Sequence, residues 1–413
     1  MDLLSDFAPD PDGLSEALGR LVASFDAPAE AVTAPGDLDL PAGLPERGVG
    51  SREALRVLAG PVLDGAARLG APGFFAHMDP PTPWVTWAAA QWTAALNQNL
   101  LHPDTAPVAR ELERRVVAWL APAFGQDGGH LVPGSTVANL TALWVARDLH
   151  GVREVVASKA AHVSVRKAAR LLGLPLREVD VDARQRMDAG ALGDLSRSAL
   201  VLTAGTTTTG AVDPLDCGKG AAWRHVDAAW AGPLVFSDRH RPLLAGVERA
   251  DSVAVSAHKW LHQPKESALV LFADSRRAHA TISFTSGYLA EPNVGVLGSH
   301  GAAAVPLLAT LLAWGRDGVA AHIDHAMDLA DRLADEIRDR DELELRHAPQ
   351  TGVVLWRAPG RDPRAVRDRL TGAFVSVADL DGQTWLRSVA ANPNADPERV
   401  VAAAIAALEH TAT

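Results

Sequence analysis

The sequence predicts an α/β fold: a mostly parallel central sheet covered by helices, with an N-terminal helical arm and a small α/β C-terminal domain. Three observations carry this. From Gly129 onward, short apolar runs alternate with helical patterns, and such alternation implies strands joined by helical crossovers and buried on both faces. Polar motifs follow several of those runs directly, at the carboxyl ends of strands where ligands bind in sheets of this kind. A long helical pattern from Pro306 then leads into two more strand-like pieces and a last helix.

The elements are expected in this order. Residues 1–70 are rich in Pro, Gly, Asp and Ala, with helical patterns at Leu14 to Phe25 and Arg52 to Leu69. They form an arm too thin to bury a core of its own. Pro72 to Pro83 is irregular. Helices follow at Trp84 to Leu100 and Ala106 to Leu120, where Glu111 and Arg115 can pair at i,i+4. Strands are expected at His130 to Val132, Val155 to Ala157, Ala199 to Thr203, Leu234 to Ser237, Ser252 to Ser256 and Ala268 to Phe272, with a helix at Val137 to Leu149. A helix from Pro306 to Ile337, strands at Gly352 to Trp356 and Thr384 to Val389, and a helix at Pro397 to Glu409 complete the chain. The divisions are 1–70, 71–305 and 306–413. The charged stretch Asp331 to Arg346 reads as a solvated helix face.

The chain has 413 residues, 47% hydrophobic and 22% charged, as in a soluble globular protein. Its net charge of -11, with no basic stripe, argues against nucleic acid as a partner. One cysteine, Cys217, excludes an intrachain disulfide and a cysteine-based zinc site. The acidic start from Met1 to Asp10 lacks the pattern of a signal peptide, and no apolar run reaches membrane-spanning length. A cytoplasmic protein without a membrane or metal partner is expected.

Five motifs carry chemistry. Ser256-Ala257-His258-Lys259-Trp260 follows an apolar strand. A lysine buried there has a lowered pKa and is nucleophilic toward an aldehyde, although alone it also reads as a surface lysine beside a packed tryptophan. His225-Val226-Asp227-Ala228-Ala229-Trp230 lies upstream, its aspartate 32 residues before Lys259. That aspartate either keeps a pyridine nitrogen protonated or caps a turn. Pro133-Gly134-Ser135-Thr136 opens a helix and is a phosphate cradle or an ordinary cap. Gly205 to Gly210 is a threonine-rich turn, and His162 is a ring able to stack on another.

In their order and spacing these motifs resemble the group II pyridoxal-phosphate-dependent decarboxylases, which have fold type I, over about residues 70–315. The Gly205 to Pro214 segment, Phe74-Phe75-Ala76, Asn97-Gln98-Asn99 with Pro107 and Glu113, and the stretch Arg387 to Pro393 are similar to further parts of that family. The resemblance implies pyridoxal phosphate bound to Lys259 as a Schiff base. It implies Asp227 against the pyridinium nitrogen, His162 over the ring and Ala229 beneath it. Gly134, Ser135, Thr136, His258 and Ser256 would hold the phosphate, with Thr206 and Thr207 near the lysine and the ring hydroxyl. It also implies a homodimer with sites at the subunit interface, where Gly298 and Ser299 reach the neighbouring phosphate. His300 and Gly301 stand where the family usually has arginine.

Tyr288, the one tyrosine, lies 29 residues past Lys259 and resembles the family's mobile-loop tyrosine. That residue returns a proton to Cα after carbon dioxide leaves. The implied reaction is decarboxylation of an L-amino acid to its amine. His77, Thr82, Trp84, Asn97, Asn99 and His102 fall in the substrate-side segments, and their polarity points to a small or polar amino acid. Oxidative or aldehyde-forming chemistry, a Cβ lyase and a non-catalytic cofactor-binding subunit stay open at this stage.

Overall fold

The computed structural model describes residues 7–26 and 40–409; Met1 to Asp6, in the acidic start read above, lie outside them. The arm holds α1 (Pro11–Ser24) and α2 (Ser51–Ala59). The second helix stops short of the expected Leu69 because a wider turn, Gly60–Asp64, takes over at Pro61, which has no N–H to continue the ladder. Helices α3 (Trp84–Leu96) and α4 (Pro107–Leu120) follow. The first ends four residues early, where Asn97 turns left-handed and its N–H caps Thr93.

Seven strands form the central sheet: β1 (Gly128–Val132), β2 (Glu154–Ser158), β3 (Leu176–Val179), β4 (Ser198–Thr203), β5 (Trp223–Asp227), β6 (Ser252–Ser256) and β7 (Ala268–Phe272). Their order is β1-β7-β6-β5-β4-β2-β3. Pairing is parallel from β6 through to β3, while β7 runs antiparallel to both β1 and β6. Side chains alternate between two apolar layers. Leu200, Leu202, Val253, Val255, Leu269 and Leu271 enter one; Ala199, Val201, Ala254, Ala268 and Val270 enter the other. The second face carries the smaller residues, which lets α5 (Ser135–His150) pack closely through Ala138, Ala142 and Ala146. Helices α6 (Val163–Leu171) and α7 (Ser275–Thr281) cover the same side.

Strands β8 (Ser283–Phe284) and β9 (Asn293–Val294) make a short hairpin. Helix α8 (Ala304–Arg338) is broken in direction at Gly315, whose φ of 62° and ψ of -175° are not helical. A four-stranded antiparallel sheet follows, made of β10 (Glu344–Leu345), β11 (Val353–Arg357), β12 (Ser376–Leu380) and β13 (Gln383–Val389), in the order β10-β11-β13-β12. Helix α9 (Pro363–Asp368) packs on it, and α10 (Pro397–Glu409) packs on α8 and α9. Phe74 bridges Phe374, and the Phe75 N–H donates to the Phe374 carbonyl, so the segment after the arm is tied to this second sheet. No described helix is long and apolar enough to cross a membrane.

Some sequence expectations need correction. Leu234 to Ser237 is not a strand but the end of a 3₁₀ turn, Gly232–Phe236. Pro233 at its start favours the turn, and the run is apolar because it is buried in the core. Strands β3 and β5 were not expected. The second of these carries Arg224 and His225, whose polar groups find partners inside the protein. Asp331 to Arg346 is not one solvated face: the helix ends at Arg338, and Leu333, Ala334 and Ile337 are buried.

Candidate active site

The carboxyl ends of β4, β5 and β6 lie side by side, with Thr203 paired to Asp227 across β4 and β5. They open onto a cavity of about 400 Å³. Its walls include Gly134, Ser135, Thr136, His162, Thr207, Asp227, Ala229, Ser256, His258 and Lys259. These are ten of the expected site residues, drawn from five separate segments of the chain.

Lys259 stands three residues beyond β6 in a tightly held loop. The Ala257 and His258 N–H groups both donate to the Ser267 carbonyl at 3.0 and 3.1 Å, and the His262 N–H donates to the Lys259 carbonyl at 2.8 Å. The neighbouring Trp260 is fully buried, stacks near Trp230 at 4.1 Å and donates to the Ala390 carbonyl. It wedges the loop in place. Burial lowers the pKa of the Lys259 amine, opposed by the charges of Asp227 and Asp79.

Asp227 ends β5 and is buried. One oxygen accepts from Asn139 at 2.8 Å and the other from the Ala229 N–H at 3.2 Å. His162 caps α6, with its Nδ1 facing the Ser164 hydroxyl at 2.8 Å and the Ser164 N–H at 3.2 Å. Burial lowers its pKa; Asp227 acts in the opposite sense, and Lys259 and Lys167 act with the burial. Helix α5 begins without a side-chain cap, so its first N–H groups and positive dipole end face the cavity. Ser135 and Ser256 approach to 2.5 Å there. Gly205 must be glycine: at φ 91°, a Cβ would lie 2.7 Å from the Trp230 ring.

Other expected residues lie outside this cavity. Thr206 points inward, bonding Thr209 at 2.8 Å and accepting from the Ala211 N–H, so it braces the turn while Thr207 faces the cavity. Ser299 accepts from Asn99 at 3.1 Å, and Asn97 and Asn99 sit with α3 and its following loop. Gly298 adjoins Ser299. Tyr288 is 70% exposed, its ring 6.1 Å from that of His102. His77 lies between Phe74 and Phe374, Thr82 accepts from Trp87, and Trp84 is exposed. None of these lines the cavity within its own chain.

Sequence reasoning missed Asn139 and gave His225, Ser164 and Arg387 no role. Asn139 and His225 are completely buried behind Asp227, and Ser164 lies behind His162. The i,i+4 spacing of Ser135 and Asn139 was the available signal, since it sets both on one helix face. Arg387 was read only as part of a motif. It is buried, donates to the Thr207 and Ala76 carbonyls and to Ser376, and pairs with no carboxylate among the described residues. Burial pushes its guanidinium down to about 10. Burial pushes the Cys217 thiol up to about 11, which disfavours the thiolate.

The cavity suits pyridoxal phosphate. An uncapped helix start with hydroxyls gives an anion seat, a buried carboxylate with two donors suits a protonated ring nitrogen, and a buried amine suits an aldehyde.

Residues 62–359 match the pyridoxal-dependent decarboxylase conserved domain. The chain is 33% identical over 404 residues to the L-2,4-diaminobutyrate decarboxylase of Rhizobium meliloti (strain 1021), covering 86% of this chain and 81% of that one. It is 30% identical over 359 residues to the cysteine sulfinic acid decarboxylase of Mus musculus, covering 75% and 72%. Among solved structures, the glutamate decarboxylase domain of the diaminobutyrate-pyruvate transaminase and L-2,4-diaminobutyrate decarboxylase from Vibrio parahaemolyticus superposes with a TM-score of 0.82. That domain is 27% identical, with 96% of this chain and 95% of that one covered. The chain belongs to the pyridoxal-dependent decarboxylases, and its reaction is the pyridoxal-phosphate-dependent decarboxylation of an amino acid.

Proposed function

We propose that Lys259 carries the cofactor covalently, and that the substrate is a small or polar L-amino acid released as its amine and carbon dioxide. The supporting observation is the single cavity that holds a buried lysine amine and a buried carboxylate, with the open N-terminus of α5 at its wall.

Ser135 and Thr136, with His258 and Ser256, hold the phosphate. Asp227 keeps the ring nitrogen charged, His162 covers one ring face and Ala229 leaves room at the other; Thr207 is the polar neighbour of the ring hydroxyl. When bound, the cofactor supplies the electron sink for the bond pair left behind by carbon dioxide. The protein does the rest. Lys259, whose amine is shifted by burial toward its neutral form, provides the amine for attachment and release. Arg387, a buried donor without an anionic partner, holds a substrate carboxylate beside Thr207. Tyr288, with His162, returns a proton to Cα.

Tyr288, Gly298 and Ser299 complete the site of a neighbouring subunit in a homodimer. Their position outside their own cavity supports this, as do the exposed apolar residues Trp84, Trp92 and Leu96 of α3 and Leu14, Leu18 and Val22 of α1. The three divisions 1–70, 71–305 and 306–413 and a cytoplasmic setting belong to the same proposal.

The test is a panel of amino acids incubated with the holoenzyme and read by mass spectrometry. A small acidic or diamino acid should yield amine and carbon dioxide fastest. An aromatic amino acid as the preferred substrate would overturn the substrate class, and an aldehyde with ammonia and peroxide would overturn simple decarboxylation.

A further inference from the structure

Behind the cavity runs a chain of buried hydrogen bonds with both ends fixed in polarity. Trp223 Nε1–H, which can only donate, meets Ser252 Oγ at 2.8 Å. Ser252 lies 2.8 Å from His225 Nδ1, and His225 Nε2 lies 2.9 Å from Asn139 Oδ1. Asn139 Nδ2 lies 2.8 Å from Asp227 Oδ2 and 2.8 Å from Ser164 Oγ, and Ser164 Oγ lies 2.8 Å from His162 Nδ1.

The directions follow from these ends. An ionised Asp227 only accepts, so the Asn139 amide must turn its NH₂ toward it and its oxygen toward His225. His225 Nε2 therefore bears the proton. Ser252, already accepting from Trp223, directs its O–H at His225 Nδ1. The tryptophan end is compatible with this tautomer, since Ser252 can accept from Trp223 and donate to His225 at once. The second N–H of Asn139 goes to Ser164, whose O–H is then left to donate to His162 Nδ1. The Ser164 N–H points at the same nitrogen.

We infer that this chain holds His162 in its neutral Nε2–H form, with Asn139 as the positioning residue that couples the tautomer to the charge on Asp227. Protonating His162 would put a hydrogen on Nδ1 against two donors already aimed there. The Ser164 N–H is fixed by the backbone and cannot turn away, and the Ser164 O–H would have to find another acceptor. His162 Nε2 has no partner among the described residues, and the ring lines the cavity. It therefore presents one N–H donor and no acceptor to a bound molecule. Burial disfavours the charged ring. The charges facing it, Asp227 on one side and Lys259 and Lys167 on the other, oppose one another, and the hydrogen-bond polarity acts with the burial and selects the tautomer. For catalysis the inference rests on His162 covering the cofactor, but the tautomer is measurable without cofactor, so the two readings can fail separately.

The experiment is ¹⁵N NMR of histidine-labelled protein, cofactor-free and cofactor-loaded, with the His162 signals assigned through His162→Gln. In both forms His162 should show the neutral Nε2–H pattern at pH 7 and hold it below the ordinary histidine range. Ser164→Ala removes the hydroxyl with little change in volume and leaves the backbone N–H in place; it should keep the Nε2–H tautomer and raise the His162 midpoint by about one unit, moving the acid limb of kcat/KM equally. His225→Leu should act in the same direction, whereas His225→Gln, which can still donate to Asn139, should restore the wild-type pattern. A Nδ1–H or doubly protonated His162 at pH 7 in the wild type would overturn the inference. So would a Ser164→Ala protein with the wild-type titration.

Discussion

Two regions face the chemistry, and they are built differently. The floor, from the ends of β5 and β6 to the start of α5, is buried and closed on itself: Asp227, Lys259 and His162 each have their surroundings supplied by the same chain. The segment from β8 to the start of α8 is the opposite. Tyr288 is 70% exposed and Phe284 56%, and Ser299 bonds only toward the loop after α3. The contrast separates two tasks. Most of the groups proposed to hold and charge the cofactor lie together in one chain, and those proposed to complete the site are left at a surface.

The sharpest way to break this division is at the floor. Lys259→Ala should leave no borohydride-trappable cofactor by mass spectrometry and turnover at background, with the near-UV circular dichroism of a folded protein. Asp227→Asn should lower kcat by about 10²-fold or more, the scale of losing one well-placed charged group, with the lysine still trappable. Arg387→Lys keeps the charge and loses the planar fork; KM should rise by about tenfold in steady-state assays, with a smaller change in kcat.

The floor should also set the acid stability. Burial pushes His225 down to about 4, with Asp227 opposing, from an ordinary value of 6.5. The folded form therefore favours the neutral ring. This contribution is complete above about pH 6.5 and is lost as pH falls toward 4, at up to about 1.4 kcal/mol per unit of pH. In urea titrations, His225→Gln should flatten the stability profile across that window. The smallest effect should come from the exposed segment. Tyr288→Phe should change unfolding free energy by no more than about 0.5 kcal/mol and show itself in the products, with less amine and more aldehyde by mass spectrometry. A large loss of stability would mean that Tyr288 belongs to the closed region after all.

The same division governs how much the sequence disclosed. Lys259, Asp227, His162 and Ser135 stand beside apolar runs in short motifs, so their approximate places at strand and helix ends were legible. Asn139 was not, because a polar residue within a helix looks alike whether it meets water or a buried aspartate. Strand β5 was hidden by Trp223, Arg224 and His225, polar groups that only tertiary partners make tolerable in a sheet. The Leu234 to Ser237 run misled for the converse reason: burial made it apolar while Pro233 set its turn. His77, Thr82 and His102 were placed by the substrate-side segments they fall in, and a segment does not reveal which wall a side chain faces.

Because β7 runs back beside β6, the loop bearing Lys259 closes over only the eleven residues 257–267. The contact from Asn139 to Asp227 spans 88 positions. The entropy lost on closing a loop grows with its length, and non-local contacts are the slow ones to form. The lysine's turn can therefore take shape on its own hairpin, while the carboxylate's surroundings wait for the parallel strands to assemble. The proposed nucleophile is thus the locally encoded half of the site, and the surroundings of the carboxylate depend on the completed topology.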